Sequence, residues 1–177
     1  MRKLFLPLLL AVSLLSGCSM LNPDDPRTAG QQWQDQNIEM EIAGLITKPP
    51  FRHQARVNAI SISGRVLLIG QAVDAQTSRQ LERQVRDLAH VTQVYNQLQI
   101  RPLPELGEVS QDSWLTTKVK AQLVASKQLR DVSIIVATEG QHVYLLGFVT
   151  PAQANIAADI ARNVAGVKQV IKAFEYP

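Results

Sequence analysis

One cysteine in 177 residues leaves no disulfide framework, so the fold has to be held by core burial. Histidines are scarce as well: His53, His90 and His142 fall at a post-proline loop, a helix end and a strand, in no metal-ligand spacing such as HxxxH or HExxH. No GxSxG elbow surrounds a serine. Gly64 and Gly70 enclose the strand-forming run Arg65-Val66-Leu67-Leu68-Ile69 rather than a phosphate-cradling loop. With no convergent nucleophile, base and electrostatic stabiliser, the expectation is a protein that is not an enzyme and holds neither metal nor dissociable cofactor.

Long hydrophobic runs are missing too. The longest, Leu4 to Leu15, falls short of the roughly 20 residues of a spanning helix. It follows Arg2 and Lys3 and ends at Ser16 and Gly17 just before Cys18, which is the layout of a signal peptide over residues 1–17. Leu15-Ser16-Gly17-Cys18 resembles the bacterial lipobox in all four positions. The resemblance implies cleavage before Cys18, an N-acyl and an S-diacylglycerol group on it, and, with Ser19 rather than Asp next, sorting to the outer membrane with the protein facing the periplasm. Arg2 and Lys3 leave with the signal, so 18 less 2, or 16, basic side chains remain against 15 acidic ones. A mature chain this close to neutrality does not suit a nucleic-acid partner.

What is present is a repeat. Residues 18–32, rich in Asn, Asp, Pro and Gln, read as a lipidated flexible tether, and residues 102–109, with two prolines and a glycine, as a linker. Across that linker, modules 33–101 and 110–177 keep an offset of 77 residues, changing to 76 after Gly147. Asp35 matches Asp112, Val66-Leu67-Leu68-Ile69-Gly70 matches Val143-Tyr144-Leu145-Leu146-Gly147, and Val91-Thr92-Gln93-Val94 matches Val167-Lys168-Gln169-Val170.

Each copy reads as helix, strand, strand, helix, strand. Leu115, Val119 and Leu123 form one helical stripe behind Asp112 as the expected N-cap, and Ile38, Ile42 and Leu45 with Ile46 form the other, stopped by Pro49 and Pro50. Hairpins are expected around Ser63-Gly64 and Glu139-Gly140. A longer helix should come next, carrying Leu81, Val85 and Leu88 or Ala157, Ala161 and Val164, before last strands at 93–100 and 168–176. The fold class is α+β, with each three-stranded mixed sheet packed on two helices.

The repeated glycine-ended strand, the helix containing Ala157-Ala158-Asp159-Ile160-Ala161 and the closing Gly166-Val167-Lys168-Gln169-Val170 resemble the BON domain. Two such domains behind a lipobox, the second opening on Asp112-Ser113-Trp114-Leu115-Thr116-Thr117-Lys118, are similar to dual-BON outer-membrane lipoproteins. The resemblance implies αββαβ modules, a non-enzymatic role in maintaining the outer-membrane barrier and binding of anionic phospholipid through the second module. One departure is His90-Val91 where the motif has Gly-Val. If that turn needs a positive φ, histidine costs about 1 kcal/mol relative to glycine.

Projected at about 100° per residue, the helix after Asp112 turns Trp114 away from its buried stripe, beside Ala121 and Val124 and between Lys118 and Lys120. An indole at headgroup level with amines at phosphate level suits an anionic surface such as phosphatidylglycerol. The first copy has Asn37, Glu39, Glu41 and Ala43 at the positions of Trp114, Thr116, Lys118 and Lys120, so its face reads as polar and acidic and only the second module should bind lipid. A competing expectation packs Trp114 on Leu103 or Leu106. A competing function is a protein-binding adaptor for outer-membrane assembly machinery or cell-wall hydrolases, contacted through the acidic first-module helix or exposed edge strands.

Overall fold

In the computed structural model, which describes residues 25–176, the repeat becomes two αββαβ modules. The first comprises α1 (Ala29–Ile46), β1 (Ala55–Ile62), β2 (Arg65–Ala72), α2 (Ala75–Arg86) and β3 (Gln93–Ile100). The second comprises α3 (Leu106–Ala125), a 3₁₀ turn at Lys127–Leu129, β4 (Ile134–Glu139), β5 (His142–Phe148), α4 (Pro151–Arg162) and β6 (Gln169–Glu175). In each sheet the central strand pairs antiparallel with the first and parallel with the last.

Several local expectations change. The first helix begins at Ala29, behind a capping box of Thr28 and Gln31, and Arg27 bonds Asp35 and the Ser61 carbonyl. Residues 25–32 are therefore built into the fold rather than into a free tether. Residues 106–109 are helical, since the prolines at 102 and 104 bar a helix only upstream of Leu106. Asp112 is thus no N-cap; Glu105 holds that position without a side-chain bond. The helices expected to be longer, α2 and α4, have 12 residues each, against 18 in α1 and 20 in α3.

What Asp35 and Asp112 do instead is the same in both modules. Both are buried, and each carboxylate accepts the two backbone N–H groups of its own hairpin turn: Ser63 and Gly64 at 2.8 and 2.9 Å, Gly140 and Gln141 at 2.7 and 2.8 Å. Those four residues have φ between 52° and 76°, the left-handed pair of a two-residue hairpin turn. The second turn therefore lies at Gly140-Gln141, one residue beyond its expected place, and Glu139 ends β4 as a buried residue. Gly70 and Gly147 are required by close approach: a Cβ there would stand 2.1 Å from the Arg56 carbonyl oxygen or 2.3 Å from that of Ser133.

Alternate strand residues face opposite ways. Val66, Leu68, Val143 and Leu145 pack under the helices of their own module, whereas Leu67, Ile69, Tyr144 and Leu146 meet in a third core between the two sheets, with Ile60, Ile62 and Ala137. The layers are therefore helix, sheet, sheet, helix. Ion pairs Arg65–Glu175 and Arg56–Glu139 and a Gln71–Glu139 hydrogen bond cross between the modules, and Gln99 Nε2 lies 3.4 Å from His142 Nδ1. Arg65 and His142 are equivalent in the repeat, as are Gln99 and Glu175. Two of these contacts are thus one contact made twice, as at a two-fold interface.

Candidate membrane-binding face

Helix α3 is held by one stripe and leaves the other free. Leu115, Val119 and Leu123 are at most 5% exposed, sealed against β4 and α4, which turns Trp114 (60% exposed) and Val124 (88%) outward, with Lys120 and Ala121 also exposed. Of the two competing packing partners, Leu106 is itself exposed, so Trp114 does not rest on it, and Leu103 is half-buried. The structure thus brings all five residues expected at this face onto one side of α3; Cys18, the sixth expected site residue, lies outside the described residues.

The two lysines differ in state. Lys118 folds back so that Nζ stands 3.9 Å from the Trp114 ring centroid, a cation–π contact, and 3.4 Å from the Ala165 carbonyl oxygen, to which it donates. Its charge therefore lies beside the ring. Lys120 points into solvent and lines a cleft of about 550 Å³ with Val124, Leu129, Arg130, Val132 and Ile134. This cleft, in which Lys120, Arg130 and Asp131 stand among aliphatic side chains, was invisible in the periodicity of α3, because the turn at Lys127–Leu129 brings its far wall. The one sequence signal was the basic-apolar string Lys127-Gln128-Leu129-Arg130 just past the helix end.

Of the two acidic residues at the matching positions of α1, one is turned inward and one outward. Glu39 is half-buried and accepts the Ser61 N–H at 2.8 Å, and burial pushes its carboxyl pKa up despite that hydrogen bond. Glu41 stays exposed. Among the described residues no three His, Cys, Asp or Glu side chains gather to hold a metal ion, and no helix is long and apolar enough to cross a membrane.

The BON domain family model matches residues 34–102 and again 111–177. The chain belongs to the BON-domain family. Both BON modules are shared with the outer membrane lipoprotein DolP of Haemophilus influenzae, which is 40% identical over 86% of this chain and 79% of its own length. A 21 kDa hemolysin of Actinobacillus pleuropneumoniae is 38% identical over 87% of this chain and 80% of its own. A single stretch of 67 residues is 40% identical to the osmotically inducible protein Y of Escherichia coli, covering 37% of this chain and 33% of that protein. This is a dual-BON, DolP-like protein of the outer membrane.

Proposed function

We propose that this protein is anchored by acyl groups on Cys18 and binds anionic phospholipid through the second BON module, helping to maintain the outer-membrane barrier without catalysing a reaction. The observation that carries this reading is the outer side of α3. An exposed tryptophan with a lysine stacked on it, an almost fully exposed valine and an exposed lysine lining the cleft form an apolar surface edged with positive charge. Trp114 suits the headgroup layer, Val124 and the cleft suit the upper acyl region, and the amines suit phosphate oxygens. Each lysine adds about 1 kcal/mol near an anionic surface. The acyl anchor raises the local concentration of lipid around a face that is weak alone.

Flotation of the mature, unacylated chain with phosphatidylglycerol vesicles tests this. Lys118→Glu with Lys120→Glu should weaken binding about 30-fold or more, since two contributions of about 1 kcal/mol each are lost. Both side chains lie at the surface, so the fold should be kept. Unchanged binding would contradict the reading.

A further inference from the structure

The outer side of α1 carries large apolar groups that belong to none of the three cores, Trp33 lining an open cleft with Arg27, Glu39 and, from the second module, Ile135. Trp33 is 60% exposed and Met40 53% exposed, seven residues apart on the side of α1 opposite Ile38 and Ile42. Two helical turns bring such a pair onto one face, about 10 Å apart. Asn37 and Gly44 lie on the same side, with Ala43 at one border and the exposed Glu41 at the other, so the stripe carries no basic side chain. A surface of this kind gains little from anionic headgroups and suits the interfacial layer of any bilayer, where indole rings concentrate.

The position of this stripe says what covers it. Arg27 ties the chain to the body through Asp35 and the Ser61 carbonyl and is itself bonded to Asp25, which follows Cys18 by seven residues. Seven residue steps reach at most about 25 Å at full extension. Trp33 is only four residues, about 6 Å of helix, beyond the start of α1. A second copy of the chain fits less well. A tryptophan covers at most about 250 Å², and even with methionine this falls well below the roughly 600 Å² per partner of a stable dimer.

We infer that the Trp33–Met40 face of α1 rests on the bilayer holding the acyl anchor, as a contact independent of headgroup charge and separate from the α3 face. The inference rests on acylation of Cys18. It places the first BON module at the membrane, where the acidic reading of α1 kept it away.

The test uses the full acylated chain with Trp114→Phe, which leaves Trp33 as its only tryptophan, on phosphatidylcholine vesicles whose acyl chains carry bromine near the headgroup. Trp33 should lose most of its emission to the bromines, with its maximum shifted to the blue, and high salt should leave both unchanged. Met40→Glu, at an exposed position, should restore most of the emission. A chain retained on the vesicles but with unquenched Trp33 overturns this inference alone. A chain not retained overturns it together with the anchor on which it depends.

Discussion

Asp35 sits where three kinds of donor converge: the Ser61 hydroxyl at 2.6 Å, the turn N–H groups and the Arg27 guanidinium at 2.7 Å. Burial raises its pKa, but hydrogen bonds from Ser61, Gly64, Ser63 and Arg27 outweigh burial and hold the carboxyl below the usual aspartate range. A carboxyl depressed in the fold contributes stability that is complete above its unfolded pKa and lost as pH falls through the folded value. Glu39, raised by burial, works in the opposite sense, favouring the fold less as pH climbs past its ordinary value. Urea denaturation from about pH 5 down to about pH 3 should therefore show stability falling in the native chain. Asp35→Asn should cost about 2 kcal/mol at neutral pH and flatten that acid limb. An equally steep acid limb in the variant would show that another carboxyl governs it.

The repeated elements show why sequence reading succeeded in some places and failed in others. Strands β2 and β5, the apolar stripes of α1 and α3 and the outward turn of Trp114 were legible because period and composition are local properties. The role of Asp112 was not legible: an aspartate ahead of an apolar stripe has the signature of an N-cap, and only the fold brings Gly140 N–H to it from 28 residues away. The turn after α2 shows the converse. His90 does adopt φ 67° and its counterpart Gly166 φ 102°, as the motif comparison implied. His90 is exposed and tolerates the strain, whereas a Cβ at Gly166 would stand 3.0 Å from Leu115 Cδ2. Thermal unfolding should accordingly find His90→Gly about 0.5–1 kcal/mol more stable and Gly166→His destabilised by about 2 kcal/mol or more. Loss of stability in His90→Gly would mean the ring makes a contact that offsets its backbone strain.

At the scale of the whole molecule, the continuous runs Val66-Leu67-Leu68-Ile69 and Val143-Tyr144-Leu145-Leu146 have their explanation in the sheet-to-sheet core. Strands buried on both faces read as unbroken apolar segments. That signal was in the sequence, but it names no covering partner. The two BON modules should therefore unfold as one cooperative unit. Leu146→Glu, which sets an unpaired charge between the sheets, should separate unfolding into two steps or lower the urea midpoint sharply; an unchanged single transition would argue against the shared core. The same layering packs α1 on the first sheet and α3 on the second, each on the side away from the shared core.

The most direct measurement is the emission of Trp114 alone, in the mature unacylated chain carrying Trp33→Phe, titrated with phosphatidylglycerol and with phosphatidylcholine vesicles at matched salt. The account predicts a blue shift that saturates with phosphatidylglycerol and fades as salt is raised, with little change on phosphatidylcholine. No shift with phosphatidylglycerol, or equal shifts with both lipids, would contradict it.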